Sequence, residues 1–255
     1  MIGAIAGDII GSIYEHWPIK IKDFPLFGQD CRFTDDTVLT VAIADAILNN
    51  RPYDESLRNI GRRYLQAGYG KSFFRWLIAE DSQPYNSWGN GSAMRVSPVG
   101  FAFSSQEDVL LQAKMTAVVT HNHPEGIKGA QATALAIFQA RMGFGKEQIR
   151  TRIAEEFSYD LTRTVDEIRP TYSFDISCQG TVPEAIIAFL DSVSYEDAIR
   201  NAVSLGGDSD TQACITGGIA EAFYGGVPDN IRKQALDRLP SELFEIVDNF
   251  CQVYD

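Results

Sequence analysis

The spacing of apolar residues along the chain follows helical periods. Between Tyr195 and Ser204 the apolar side chains recur at every third or fourth position, the pattern of a helix with one buried face. From Ala213 to Tyr224 the residues are small or apolar on nearly every side, which is typical of a helix buried among other helices. No alternation of apolar and polar residues is long enough for a strand. The pattern therefore predicts an all-α fold.

The same periodicity places helices along most of the chain, joined by short turns rich in Gly, Pro and Asp. Pro183 is expected to begin a helix at its first position, after an irregular loop of residues 172–182. Further helices are predicted over residues 53–67, 71–79, 105–119, 129–142, 149–157, 161–168, 230–239 and 241–253.

Three glycines in the first apolar segment, Gly3, Gly7 and Gly11, are spaced four residues apart. A dinucleotide-binding loop has the closer spacing G-x-G-x-x-G after a strand, so this segment does not match it. Residues four apart lie on one helix face, and glycines there predict close packing of a second helix. Asp8 and Glu15 are the acids of this region. An isolated Glu at a helix end is usually solvated, so Glu15 gains a function only beside another acidic cluster.

Hydroxyl and carboxylate residues are concentrated at the starts of two predicted apolar helices. Residues 34–37 are Thr-Asp-Asp-Thr, and residues 206–211 are Gly-Gly-Asp-Ser-Asp-Thr. One Asp at such a position is an ordinary N-cap that the helix dipole favours. Two carboxylates at a buried helix start raise each other's pKa unless a cation neutralises them. Two clusters of mirrored composition therefore favour a shared, oxygen-ligated metal site over two separate caps.

Composition limits the function classes. The chain has 255 residues, of which 45% are hydrophobic, and no Pro-, Gly- or Ser-rich linker or charge block divides it. We therefore expect a single domain over residues 1–255. The formal net charge of −12 and the pI near 4.7 disfavour a nucleic-acid groove or an anionic membrane surface as a partner.

The cysteines indicate a reducing compartment. They are widely spaced and form no CxxC pair, so we interpret them as reduced core residues rather than as disulfides or a zinc site: Cys31, Cys178, Cys214 and Cys251. The first segment lacks a basic region and carries Asp8 in its apolar run, which argues against a signal peptide. No apolar segment approaches membrane-spanning length. We expect a cytoplasmic protein.

Two loops carry further candidate chemistry. Residues 86–95 contain a Gly-Asn-Gly turn whose backbone amides could hold a phosphate, although ordinary turns have the same composition. Residues 121–123, His-Asn-His, suggest a transition-metal site, but the chain has only three histidines and no cysteine close by. A polar loop that contacts a ligand, or a plain turn between helices, is the preferred interpretation.

Together these motifs resemble the ADP-ribosylglycohydrolases, which include the dinitrogenase reductase-activating glycohydrolases and the ADP-ribosyl-acceptor hydrolases. The resemblance runs through nearly the whole chain, and the two acid motifs, in this order and distance, carry most of it. The supporting pieces are Gly7-Asp8, Glu15, residues 89–95, Thr120-His121 and residues 178–183. It implies a compact orthogonal helical bundle with a central binuclear metal site. It also implies hydrolysis of the bond between C1″ of ADP-ribose and its acceptor.

The resemblance implies roles for single residues as well. Two Mg²⁺ or Mn²⁺ ions would be bound by Thr34, Asp35, Asp36, Asp208, Asp210 and Thr211, whose hard oxygens suit these ions better than zinc. Glu15 would act beside the metals as acid/base or as a mobile gate, and Asp36 would be the second catalytic residue. The substrate-binding residues would be Gly89, Asn90, Gly91 and Ser92 at the pyrophosphate, His121 at the ribose and phosphate, and Ser209. The partner would be an ADP-ribose-containing substrate, which includes an ADP-ribosylated protein, and we expect a monomer.

One departure from the family and two alternatives bear on this interpretation. Some arginine-specific relatives carry an additional acid just before the Gly-Asn-Gly turn, where this chain has Asn86-Ser87-Trp88, which puts an arginine-linked substrate in doubt. All-α isoprenoid synthases also bind Mg²⁺ through aspartates, but residues 35–39 lack the third acid of their DDxxD motif. A non-catalytic ADP-ribose-binding or structural member of the family is the other alternative, although all six ligands and Glu15 are present. The acceptor (arginine, serine, acetyl ester, nucleobase or free α-linked nucleotide) stays open.

Overall fold

The regular structure of the chain is helical. A computed structural model describes residues 1–80 and 83–254. Its helices are α1 (Ile2–Gly11), α2 (Asp35–Asn49), α3 (Tyr53–Gly61), α4 (Lys71–Ile78), α5 (Gly91–Met94), α6 (Ser97–Ala102), α7 (Gln106–Val118), α8 (Pro124–Arg141), α9 (Lys146–Phe157), α10 (Val165–Ile168), α11 (Cys178–Leu190), α12 (Tyr195–Ser204), α13 (Ser209–Tyr224), α14 (Asp229–Leu236) and α15 (Ser241–Tyr254). Within the described ranges no strand forms, and Gly89 and Ser177 make one isolated antiparallel bridge. The predicted all-α class is confirmed.

Helix α13 lies at the centre of the molecule. It packs most extensively on α1 and also contacts α12, α11 and α8, while α2 packs on α3 and α15. All of its residues from Ser209 to Glu221 are buried, as the apolar pattern predicted. The buried apolar side chains of the described residues form one connected cluster around α1 and α13.

Helices α1 and α13 pack closely because glycines of α1 face the backbone of α13. A Cβ added at Gly3 would lie 2.4 Å from the Gly217 carbonyl oxygen, and one at Gly7 would lie 2.0 Å from the Ala213 carbonyl oxygen. One at Gly11 would lie 2.4 Å from the Ser209 carbonyl oxygen. The prediction that the three glycines form a helix-packing face is confirmed. This approach brings the end of α1 to the start of α13.

Gly7→Ala tests that packing. The added methyl group has no room against the α13 backbone, so we expect the free energy of unfolding to fall by about 3 kcal/mol or more. Gly70→Ala is the matched control, because no atom lies within 4 Å of a Cβ added there. Its change should stay within about 1 kcal/mol. Denaturant unfolding of both variants measures the difference, and equal stabilities would contradict the packing argument.

Several predicted boundaries differ from the structure. Helix α8 begins at Pro124 rather than at residue 129, and α14 ends at Leu236 rather than at residue 239. The helix predicted over residues 53–67 ends at Gly61, because the chain then turns back and the Ala67 carbonyl oxygen accepts from the Asp35 N–H (2.9 Å). The helix predicted over residues 161–168 is reduced to α10. Pro183 lies inside α11 rather than at its start, because the Ser177 hydroxyl caps the helix earlier by accepting from the Gly180 N–H (2.9 Å).

All four cysteines are buried, in line with their interpretation as core residues. Among the described residues, no helix is both long enough and apolar enough to cross a membrane.

Candidate active site

A cleft of about 690 Å³ opens where α1 ends and where α2 and α13 begin. Its floor is formed by residues from these three elements, and its walls by the turn after residue 86, the loop before α4 and the loop before α11. The chemically active lining residues are Glu15, Arg32, Thr34, Asp35, Asp36, Gly89, Asn90, Gly91, Arg95, His121, Asp208, Asp210 and Thr211. The cleft therefore collects most of the residues that sequence analysis singled out.

Asp8 of α1 positions the first acid cluster. Its carboxylate accepts hydrogen bonds from the Thr34 N–H (3.0 Å) and the Thr37 N–H (3.1 Å), and from the hydroxyl groups of both residues. The Thr34 hydroxyl in turn caps α2 by accepting from the Asp36 N–H (3.3 Å). The start of α2 is thus tied to α1, and Thr34, Asp35 and Asp36 line the cleft.

The second acid cluster lies on the turn into α13. Gly206 has φ +67°, a left-handed conformation that favours glycine and turns the chain from α12 into α13. Asp208 is the N-cap residue of α13, and the Thr211 N–H donates to Asp210 Oδ1 (3.0 Å). The turn therefore directs Asp208, Asp210 and Thr211 to the cleft.

The two clusters meet in the cleft. The Thr211 hydroxyl lies 3.4 Å from Asp36 Oδ1 and donates to it. Carboxylate oxygens of Glu15, Asp208 and Asp210 lie within 4.8 Å of one another, a grouping able to hold a metal ion. Residues separated by about 175 positions in the chain thus share one pocket.

The floor of the cleft is a cluster of closely spaced, buried carboxyl groups, and this raises their pKa values. Burial, and next the neighbouring Asp8, raise the pKa of Asp35 to about 8. Burial and nearby carboxylates also raise the pKa values of Asp36 and Asp210 well above their usual range. Asp36 Oδ2 is buried and has no hydrogen-bond partner among the described residues. The cluster therefore needs either protons or cations to be stable, and its hard oxygens suit Mg²⁺ or Mn²⁺.

Glu15 lies at the more open edge of the same cluster. Its side chain is 30% exposed, and its Oε2 lies 3.1 Å from His16 Nδ1. Burial, and next the Asp208 carboxylate, raise the pKa of Glu15. Its carboxyl group therefore holds a proton more readily than an ordinary Glu and can exchange it with a bound ligand.

The glycine turn is coupled to the acid floor through Asn90. The Asn90 amide donates to Asp208 Oδ2 (2.7 Å) and to the Thr181 hydroxyl (3.1 Å). The backbone N–H of Gly89 bonds the Ser87 hydroxyl (3.1 Å), and that of Asn90 bonds the Ile176 carbonyl oxygen (2.8 Å). These two backbone N–H groups of the predicted phosphate-binding turn are therefore already hydrogen-bonded within the protein. The side chain of Asn90 connects the turn to Asp208.

Comparison with known proteins identifies the family. The family model described as ADP-ribosylglycohydrolase matches residues 1–255. The chain belongs to the ADP-ribosylglycohydrolase family.

Curated relatives and a solved structure agree with this assignment. ADP-ribosylhydrolase ARH3 of Danio rerio is 26% identical over 303 residues, covering 88% of this chain and 81% of that protein. The human ARH3 is also 26% identical, with 88% and 84% covered. ADP-ribosylarginine hydrolase Tri1 of Serratia proteamaculans is 25% identical, with 94% and 74% covered. A structure titled "ADP-ribosylglycohydrolase-related protein complex" superposes with a TM-score of 0.73 at 24% identity, covering 99% and 96%, and shows the same fold.

Two of the predicted substrate-binding residues do not line the cleft of this ADP-ribosylglycohydrolase. The Ser92 hydroxyl is fully buried and donates to the Gly126 carbonyl oxygen (2.7 Å). The Ser209 hydroxyl is also fully buried and lies near the carbonyl oxygens of Tyr14 (3.4 Å) and Gly207 (3.2 Å). Both serines therefore brace the loops that carry the ligand-facing residues.

Sequence analysis assigns no role to two buried charged residues of this ADP-ribosylglycohydrolase. Asp8 is fully buried and holds α2, and Arg95 is fully buried in the cleft wall. The available signal for Asp8 was its position between Gly7 and Gly11 on an apolar helix, since a buried acid must be hydrogen-bonded. For Arg95 the pattern offered no such signal, because a short polar loop precedes it.

The His-x-His motif does not form a zinc site in the described residues. His123 Nδ1 caps α8 by accepting from the Glu125 N–H (3.1 Å), and His121 lies in the cleft wall. One ring thus caps the start of α8, and the other lines the cleft.

Proposed function

We propose that the protein hydrolyses the bond between C1″ of ADP-ribose and an acceptor in a metal-dependent reaction. The observation that carries the proposal is the meeting of two oxygen-rich clusters in one cleft, with Thr211 3.4 Å from Asp36. Membership of the ADP-ribosylglycohydrolase family, and the names of the ADP-ribosylhydrolase relatives, support ADP-ribose as the recognised group. The lining Gly-Asn-Gly turn supplies a place for its pyrophosphate.

The donor set supports a pair of Mg²⁺ or Mn²⁺ ions. Asp36 Oδ2 is buried and bonds to none of the described residues, and burial followed by the neighbouring carboxylates raises the pKa values of Asp36 and Asp210. When bound, such ions would polarise the ribose hydroxyl groups and lower the pKa of an attacking water molecule. The residues that would hold them are Thr34, Asp35, Asp36, Asp208, Asp210 and Thr211.

The chain's own groups account for the remaining steps. The transition state at C1″ has oxocarbenium character, so the carboxylate of Asp36 stabilises the positive charge that develops there. The leaving acceptor needs a proton, and the Glu15 carboxyl group, whose pKa is raised, is placed at the open edge of the cluster to supply it. The Glu15 carboxylate then accepts the proton that the attacking water loses, which restores the acid. Asn90 holds Asp208 and so ties the glycine turn, which lines the cleft, to the acid floor; a pyrophosphate lying against this turn would bring the ribose to that floor.

We further infer that residues 1–255 act as one domain, as a monomer and in the cytoplasm. The continuous apolar core supports the single domain. The wide spacing of the four buried cysteines supports a reducing compartment.

A panel of defined ADP-ribosyl linkages tests the proposal. Arginine-, serine-, acetyl ester-, nucleobase- and α-nucleotide-linked ADP-ribose are assayed with Mg²⁺ and then with Mn²⁺, and released ADP-ribose is measured by chromatography. We expect release from at least one non-arginine linkage, and its loss in chelator. Calorimetry that shows ADP-ribose binding without turnover of any linkage would instead support the non-catalytic alternative.

A further inference from the structure

Arg95 is a buried guanidinium group that pairs with no carboxylate among the described residues. Its Nη2 donates to the Thr116 carbonyl oxygen (2.7 Å) and to the Thr120 hydroxyl (2.9 Å). Its Nε and Nη1 are buried and bond to none of the described residues. Burying a charge in this way costs free energy that an apolar side chain of similar volume avoids. The position of Arg95 in the cleft wall therefore points to a role in the site.

Thr120 connects Arg95 to His121. The Thr120 oxygen lies 2.7 Å from His121 Nδ1. A hydroxyl group has two acceptor sites and one proton. Arg95 Nη2 donates to the Thr120 oxygen and so fills one of its acceptor sites. The Arg95 bond polarises the Thr120 hydroxyl proton towards His121 Nδ1, and the positive charge of Arg95 on this side of the ring favours an unprotonated Nδ1.

The other ring nitrogen of His121 faces the ligand side. His121 Nε2 would lie 3.0 Å from a Cβ added at Gly91 and 3.7 Å from one at Gly89, so it abuts the glycine turn. It makes no hydrogen bond within the part of the chain that the structure describes, and the residue lines the cleft. Burial, and next the charge of Arg95, lower the pKa of His121 well below its usual range, which keeps the ring neutral.

We propose that Arg95, acting through Thr120, is a positioning residue that holds His121 as its neutral Nε2–H tautomer, a fixed hydrogen-bond donor to a phosphate oxygen at the Gly89–Gly91 turn. The proposal rests on the proposed function, in which the pyrophosphate of ADP-ribose occupies that turn. A neutral donor needs no proton transfer, so His121 contributes to binding and leaves the acid/base step to Glu15. The buried charge of Arg95 lies behind it and adds to the attraction for a phosphate.

Nitrogen-15 NMR of the imidazole rings in the ligand-free full chain tests the tautomer. The chain has three histidines, so His16→Gln and His123→Asn variants assign the spectrum. At neutral pH we expect His121 Nδ1 to have the shift of an unprotonated nitrogen and Nε2 that of a protonated one. An Nδ1–H tautomer or an imidazolium ring at neutral pH would overturn the proposal. This readout does not depend on hydrolysis, so it remains decisive even if the proposed function fails.

Thr120→Val and Thr120→Ser test the connection to substrate. Valine keeps the shape but removes the hydroxyl group, so we expect a mixed tautomer and ADP-ribose binding weaker by about tenfold, measured by calorimetry. Serine retains the hydroxyl group and should restore both the tautomer and the affinity to within about twofold. Unchanged tautomer and affinity in Thr120→Val would overturn the proposal. Circular dichroism of both variants confirms that the comparison is made on folded protein.

Discussion

Alanine at Asp208 should reduce ADP-ribose release by at least roughly 10³-fold while the helical fold is retained. The expected size follows from the several kcal/mol that metal charge contributes to a transition state, at a tenfold rate change per 1.36 kcal/mol. Asp208 also accepts from the Asn90 amide, so its loss uncouples the glycine turn from the acid floor. Asp35→Ala should have a similar effect from the opposite cluster. Single-turnover assays of ADP-ribose release measure both.

The matched control is Asp30→Ala, an exposed acid that does not line the cleft. Asp30→Ala removes one negative charge, as Asp208→Ala and Asp35→Ala do. It should retain activity to within about twofold, as surface substitutions away from a site usually do. Circular dichroism and the unfolding midpoint establish that the cleft variants are folded. Full activity of Asp208→Ala or Asp35→Ala would refute the proposed role of the clusters.

Divalent ions should stabilise the protein strongly, and more so at high pH than at low pH. The carboxyl groups of the floor have pKa values raised above those of the unfolded chain, so the metal-free folded state binds more protons. The stability that these bound protons contribute is fully present below about pH 4, the pKa of the carboxyl groups in the unfolded chain. It is lost as the pH rises towards about 8, the pKa of Asp35 in the folded protein. Each such group lowers the free energy of unfolding by about 1.4 kcal/mol per pH unit in that window.

Metal ions replace those protons, and their binding therefore becomes tighter as the carboxyl groups ionise. Thermal unfolding with and without Mg²⁺ or Mn²⁺, at about pH 5 and about pH 8, measures this linkage. We expect little gain from the ions at low pH and a gain of several degrees or more at high pH. Asp36→Asn, which removes one charge from the floor, should raise the metal-free stability at high pH and lower the gain from metal. A gain that is equal at both pH values would contradict the linkage.

Local patterns predicted the helices and the two halves of the site. Glycines four residues apart anticipated the approach of α1 to α13, and acids at helix starts anticipated the floor of the cleft. The meeting of Asp36 with Thr211 followed from chemistry rather than from periodicity, because four carboxylates at buried helix starts are unstable without a common cation. In the structure the oxygens of these two residues lie 3.4 Å apart, in agreement with that inference.

Side-chain direction was the main feature that sequence could not supply. Ser209 lies between two cleft residues along the chain, yet successive residues of a helix point in different directions, and its hydroxyl faces the loop after α1. Ser92 follows the glycine turn but bonds the Gly126 carbonyl oxygen. Arg95 is buried and donates to the Thr116 carbonyl oxygen of α7, a contact that depends on tertiary packing. The start of α11 was also mispredicted from the sequence, because the capping hydroxyl of Ser177, and not Pro183, determines where this helix begins.

Anomalous diffraction from a crystal soaked in Mn²⁺ is the most direct test of the central claim that the two acid clusters bind divalent ions together. We expect anomalous peaks within the floor of the cleft, coordinated by oxygens of Asp36 from one cluster and Asp210 from the other, and absent in the Asp36→Asn variant. Manganese bound only at the surface, or held by one cluster without the other, would contradict it.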